Sequence, residues 1–531
     1  MIKNYSLNHY ANNSYNTKKM KTYWSILLIL CISISVSAQQ TYRNPVIAGD
    51  FPDPSVIRVG DTYYAAATSS EWGPPYRLYE SNDLINWKYI GGLFKDMPPW
   101  TMGSYWAPEL YYRDGTYFVY YTARRKSDKK SFVGVATTHN IREGFTDHGL
   151  IVEWTNEAID AFVVEIKGER YITWKAYGLD RGRTIEILGA KLSDNGLKIS
   201  GEVFTILSPE RDGWEAGGME GQCLVEHDGY IYMFYAGNSC CGRNCNYQTG
   251  VARAKSITGP WEKYAGNPIM YGDDRFRCPG HGTLVETTDN RYFYMYHAYD
   301  ALINVYLGRQ GMLDEVIWDK ATGWPAFRYG KTPSLQAEAP VPTSIQQPVL
   351  GFFDHFSSSQ LRNEWIWDVS QPKPVATCRG NQLFLRGNET PVGSFLGLQA
   401  KKANYTFIAE LPENNNVSAG ICIYGTRENG IGLSVEKGNI ELWQVKQGNR
   451  TILATKSVDA YPVSLCLKTQ FGQYCQFGQM DQNRFQAIGH IISLNELPQW
   501  DRSAMVGIQV KGNSEGIFTN VSFVWGSSPL M

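Results

Sequence analysis

Gly60-Asp61-Thr62-Tyr63-Tyr64 is the stretch from which the fold can be read, because its pattern returns four times. It recurs as Asp114-Gly115-Thr116-Tyr117-Phe118, Lys167-Gly168-Glu169-Arg170-Tyr171, Asp228-Gly229-Tyr230-Ile231-Tyr232 and Asp289-Asn290-Arg291-Tyr292-Phe293. In each, a short turn of Gly, Asp or Asn precedes an aromatic, β-forming strand, which is a hairpin signal. The leading aromatics at 63, 117, 171, 230 and 292 are 54, 54, 59 and 62 residues apart. Five units of that length predict a five-bladed β-propeller over residues 39–330. Ser81-Asn82-Asp83-Leu84-Ile85-Asn86-Trp87 and Ala254-Lys255-Ser256-Ile257-Thr258-Gly259-Pro260-Trp261 hold equivalent late positions in blades one and four and reinforce the repeat.

The innermost strand of every blade lines one central axis, so residues at one offset from the hairpin meet in one place. Asp53 lies ten residues before Tyr63, Asp160 eleven before Tyr171, and Glu220 ten before Tyr230. Three carboxyl groups facing one pocket suit acid–base cleavage of an acetal: one protonates the leaving oxygen, one activates water, and a third raises the acid's proton affinity by like-charge repulsion. Asp53 between Pro52 and Pro54 could instead cap a turn, but the shared offset favours chemistry. Asp160 precedes a run of apolar residues, where an unpaired charge is costly unless a pocket receives it. Asp50 is the rival base and Glu215 the rival acid; lacking the offset, Glu215 is expected at the pocket rim.

A chain of 531 residues exceeds one ordinary domain. Pro333, Pro340, Pro342 and Pro348 mark a linker over 331–350, and alternating short strands over 351–531 predict a β-sandwich. No acid there repeats the offset. A formal net charge of −1 gives no electrostatic case for nucleic acid or an anionic membrane. Residues 1–38 read as a signal peptide: Lys18, Lys19 and Lys21, an apolar run from Trp24 to Val36, then Ser37-Ala38. Met20 is a candidate true start, and Leu30 before Cys31 disfavours a lipoprotein. The expected location is secreted or periplasmic, with no membrane span after cleavage. Of ten cysteines, Cys31 falls in the leader, leaving nine. Cys240, Cys241, Cys245 and Cys278 form the only cluster; with His281 nearby, zinc is a reading, but no second Cys-x-x-Cys supports it, and disulfides or core thiols are favoured.

At Asn44-Pro45-Val46, Pro52-Asp53-Pro54-Ser55, Tyr105-Trp106-Ala107-Pro108-Glu109, Glu220-Gly221, His281-Gly282 and Gly308-Arg309 the first domain resembles glycoside hydrolase family 43, over nearly the whole propeller. The resemblance implies an inverting, exo-acting glycosidase that removes α-L-arabinofuranose or β-D-xylose from plant cell-wall oligosaccharides or polysaccharides. It implies Asp53 as general base, Glu220 as general acid and Asp160 as modulator of the acid. It further implies Arg309, Trp106 and His281 as substrate contacts, with His281 beside a calcium ion or water. Trp106 reads equally as a wedge in its blade. The C-terminal domain resembles the concanavalin-like β-sandwich appended to β-xylosidase-like members. The chain departs from the family pattern at Gln222 and Ala161, where proline is common, at the extra acid Asp50, and in the Cys-rich stretch Ser239 to Asn246. Competing classes are a non-catalytic glycan-binding propeller, a relative acting on arabinan or galactan, and a retaining fructan-cleaving propeller. The last would carry an Asn-Asp-Pro-Asn-Gly-like segment, which the sequence lacks.

Overall fold

The structure, a computed structural model, describes residues 40–302, 307–342, 349–413, 416–497 and 501–526. The expected leader at 1–38 lies outside the described residues. Five antiparallel four-stranded sheets succeed one another along the first domain, one for each hairpin repeat. Their first strands are Ser55–Val59, Trp106–Arg113, Ala158–Ile166, Met219–His227 and Phe276–Glu286. Each of these packs against the next, and the fifth returns to the first, closing the ring. The predicted turns fall where expected: Val59 pairs with Thr62, Arg113 with Thr116, Ile166 with Glu169, and His227 with Tyr230.

Large apolar side chains fill the wedges between blades. Phe118, Phe132, Val163 and Trp174 pack between blades two and three, and Phe234, Tyr294, Met312 and Phe327 between blades four and five. Fully burying one such aliphatic or Phe side chain contributes about 1.5–3 kcal/mol. A clasp finishes the ring: Thr41–Arg43 pairs with Gln336–Glu338, and the Asn44 side-chain amide donates to the Leu313 and Ser334 carbonyls. The stretch expected as a linker from 331 therefore begins as part of the propeller, because its backbone satisfies the N-terminal strand.

The second domain is a sandwich. One sheet has seven strands in its ordered path and side branch, including Tyr405–Leu411 and Val463–Gln470; the facing sheet has six, including Ser418–Thr426 and Met505–Lys511. Between them lies a core of aliphatic and aromatic residues such as Leu433, Leu442, Leu465, Phe477 and Ile508, all with no exposure. The two domains share structure: Trp72–Gly73 of blade one pairs with Trp367–Asp368, and Trp72 packs among Phe395, Tyr424, Trp443 and Met505.

Candidate active site

Every blade delivers a residue to the axis by the same local device. Asp53 (φ 53°), Ala107 (39°), Asp160 (56°), Gly221 (62°) and His281 (42°) are all left-handed; Asp53 lies just before its inner strand, Ala107, Asp160 and Gly221 within the first three residues of theirs, and His281 midway along its own. In blades two to five the ladder skips there, between Trp106 and Glu109, Ile159 and Phe162, Glu220 and Cys223, and around Gly280. Such a bulge turns a side chain out of the pleat and toward the axis, at a cost in backbone strain that functional sites commonly carry. Gly221 is required on a second count: a Cβ there would stand 2.6 Å from His281 Cγ.

The base candidate is held from four sides. Asp53 Oδ1 receives Arg309 Nη1 at 3.0 Å, and Thr68 Oγ1 donates to Oδ2 at 2.7 Å. His297 Nδ1 lies 3.1 Å from the Asp53 amide and 3.2 Å from Oδ1, and His281 Nδ1 lies 3.4 Å from Oδ1. Burial alone would raise the Asp53 carboxyl, but Arg309, His281 and His297 hold it well below the usual carboxylate range. It is therefore ionised, as a base must be. His297 is itself lowered to about 4, by burial and then by Arg309, and is neutral.

The acid candidate sits in a different field. Lys175 Nζ donates to Glu220 Oε2 at 2.7 Å and Tyr247 OH to Oε1 at 2.9 Å. Burial pushes the Glu220 carboxyl up, yet Lys175, His281 and Tyr247 outweigh it and the net direction is down. Asp160 moves the other way: burial, then Glu220 and Asp53, overcome His281 and Lys175 and push it up to about 7. The repulsion expected between Asp160 and Glu220 is thus present, but Lys175 opposes it. Tyr247 stacks on the His297 ring at 5.7 Å, joining the acid side to the base side.

The departures from the family pattern have structural roles. Gln222 Nε2 donates to the Asp160 carbonyl at 2.5 Å and to Thr173 Oγ1 at 3.1 Å, tying blade four to the bulge of blade three. Asp50 accepts the Arg309 backbone N–H at 2.9 Å, supporting that arginine from behind; a Cβ at Gly308 would collide with it at 2.2 Å. Glu215 is not at the rim. It is 1% exposed and holds Tyr235 OH at 2.6 Å and Lys263 Nζ at 2.7 Å, because the left-handed turn at Ala216 folds it back into blade four.

The sandwich reaches this pocket. Trp106 Nε1 donates to Asp501 Oδ2 at 2.7 Å, while Arg309 Nη2 and Ser70 Oγ donate to the Asp501 carbonyl, each at 3.2 Å. Trp106 thus forms wall between domains. Lys175, Tyr247, His297 and Asp501 escaped the sequence reading. A lone lysine in Thr173-Trp174-Lys175-Ala176 and a lone histidine in Tyr296-His297-Ala298 were the available signals, each a polar residue amid buried neighbours.

The metal readings fail on donor chemistry. Cys240 is bonded to Cys241 and Cys245 to Cys278, so these sulfurs are not zinc ligands; Cys223, Cys378, Cys422, Cys466 and Cys475 are buried thiols. Calcium needs six to eight oxygen ligands, whereas His281 turns Nδ1 toward Asp53 and Asp160, the latter at 4.0 Å. Among the described residues no group of three or more His, Cys, Asp or Glu is arranged to hold a metal ion.

A closed propeller with an ionised base, a second carboxyl pair and a buried arginine on its axis defines a glycosidase that cuts O-glycosyl bonds with protein carboxyl groups. The chain belongs to glycosyl hydrolases family 43, whose description matches residues 42–325. It is 28% identical over 493 residues to a xylan 1,3-beta-xylosidase of Vibrio sp, covering 82% of this chain and 88% of that one. It is 27% identical over 454 residues to a non-reducing end alpha-L-arabinofuranosidase of Bacteroides ovatus, covering 79% and 81%. In fold it is similar to a xylan beta-1,4-xylosidase from Bacillus halodurans C-125, with a TM-score of 0.78 at 23% identity over 91% of this chain and 99% of that one.

Proposed function

We propose that this chain is an exported, inverting, exo-acting pentosidase that removes terminal β-D-xylose or α-L-arabinofuranose from plant cell-wall oligosaccharides or polysaccharides. The observation that carries the reading is the pairing of an ionised Asp53 with a Glu220 that both Lys175 and Tyr247 address, across one axis. Asp53 takes a proton from a water whose oxygen bonds the anomeric carbon. Glu220 gives its proton to the glycosidic oxygen as the bond to carbon breaks, and the free pentose leaves with inverted configuration. Asp160, by like-charge repulsion, favours the protonated form of Glu220, and Arg309, anchored by Asp50 and Asp53, is placed to meet sugar hydroxyls. The neighbouring names, a xylosidase and an arabinofuranosidase, support a pentose without choosing between the two. Export is supported by the basic-then-apolar leader and by two disulfides, which persist in oxidising compartments.

Hydrolysis of a panel of aryl pentosides, with proton NMR of the first-formed sugar, tests the reading. Inversion on a xyloside or arabinofuranoside is the expected result. Retention of configuration, or turnover of neither substrate, overturns it. Mass spectrometry of the exported protein beginning near Gln39 checks the leader.

A further inference from the structure

The segment Ser239–Tyr247 joins the second strand of blade four, Tyr230–Gly237, to its third, Gln248–Ala254. Met219 and Glu220, at the pocket end of the inner strand, pair with Gly237 and Ala236. The segment therefore emerges on the pocket face. Its last residue, Tyr247, is bonded to Glu220, and Cys245 is bridged to Cys278, three residues from His281. A general acid delivers its proton to the leaving oxygen, so the sugar on the leaving side lies against whatever is anchored beside that acid.

The Cys240–Cys241 bridge has no evident purpose in folding. A disulfide stabilises chiefly by closing a loop in the unfolded chain, and a bridge between adjacent residues closes none; Cys245–Cys278, with a separation of 33, does so. Cys240 and Cys241 are half-buried, whereas the other described cysteines are buried. Bonded to each other, their sulfurs offer polarizable apolar surface without a donor. That surface is firmly backed. Cys240 packs against Ala236, Tyr247, Cys278 and Tyr299, the Gly242 N–H donates to Tyr299 OH at 3.2 Å, and Arg243 Nη2 donates to Asn495 Oδ1 of the sandwich at 2.5 Å. A sugar ring presents an apolar C–H face edged by hydroxyls, and binding sites meet such groups with apolar floors flanked by a few polar groups.

We infer that the Cys240–Cys241 disulfide is the floor of the leaving-group subsite, taking the pentose unit next to the bond that is cut and favouring oligosaccharide over small leaving groups. The inference rests on the glycosidase reading of the pocket. Its test compares wild type with Cys240→Ser/Cys241→Ser on a pentose trisaccharide, with free pentose, which fills only the terminal site, as competitive inhibitor. KM for the trisaccharide should rise about fivefold to tenfold, the consequence of withdrawing a few tens of Å² of apolar contact, while the inhibition constant of the pentose holds. Mild phosphine treatment of folded wild type, releasing two titratable thiols, should reproduce the shift if the double variant fails to fold. An unchanged KM in both overturns the inference, as does a parallel rise in the pentose constant, which would make the segment a support for the whole pocket. Calorimetric titration of the same two sugars separates the failures. A wild type that binds the trisaccharide more tightly than the variant but hydrolyses nothing sinks the reaction and keeps the subsite, and one that binds neither sugar sinks both.

Discussion

The propeller axis and the sandwich core are both buried regions of β-structure, yet they are built from opposite materials. Around the axis Asp50, Asp53, Glu109, Asp160, His297 and Arg309 are each less than a tenth exposed. In the sandwich the buried centre is Leu, Ile, Val and Phe, with four idle thiols among the described residues, Cys378, Cys422, Cys466 and Cys475. Burying charge is expensive, and the axis offsets it with ion pairs and hydrogen bonds among the buried groups themselves. Glu109, pushed up to about 8 by burial despite the bond from Ser55, is neutral at pH 7 and hydrogen-bonded below the pocket. One region spends stability to hold chemistry; the other supplies packing and a wall.

That division is broken most sharply by removing the carboxyl groups. Asp53→Asn should lose about 10²–10⁴-fold in turnover with its melting temperature nearly kept; if Asp50→Asn loses more, the base has been misassigned. Glu220→Gln should lose as much on oligosaccharides but far less on aryl glycosides, whose leaving groups need no proton. Equal losses on both would make Glu220 a binding residue. In the other region, Leu465→Ala should cost about 2–5 kcal/mol of stability, read as a lower melting temperature, with kcat at low temperature retained. A change in KM of the folded protein would show that the core shapes the pocket directly.

The next prediction sharpens the electrostatics. Glu220 must be protonated to act, so activity falls as pH rises through its pKa, and Lys175 lowers that pKa. Lys175→Met should move the alkaline limb of kcat/KM upward by about 1–3 pH units, with Lys175→Arg near wild type. Asp160→Asn removes an opposing negative charge and should move the limb downward. Activity merely scaled down in both, with limbs fixed, would reduce these residues to positioning. The smallest effect belongs to the wall: Asp501→Ala removes the acceptor of the Trp106 indole, worth about 1 kcal/mol, and should raise KM roughly fivefold without moving either limb.

The propeller and its three acids were legible because they recur at a fixed offset from a hairpin, and local turn chemistry writes such repeats plainly. The bulges behind that offset were not legible: Ala107 and His281 share the backbone of Asp53 and Asp160 without sharing their chemistry. Lys175 and His297 join the site through contacts between blades, Tyr247 from the connection before the third strand of blade four, and Asp501 through contact between domains, which no local pattern records. Glu215 misled because five residues of separation in sequence hides a reversal of direction at Ala216. The Cys-rich stretch announced itself by composition, but its pairing could only be read in space.

Arg309 and its bond to the Asp501 carbonyl set a timetable for biosynthesis. The base at Asp53, its partner at Arg309 and the wall residue Asp501 are synthesised in that order, hundreds of residues apart, and meet only in the folded protein. A polypeptide cut between the two domains keeps every carboxyl group of the site yet lacks the last side of its pocket, so integrity of the whole chain is read out at the sugar.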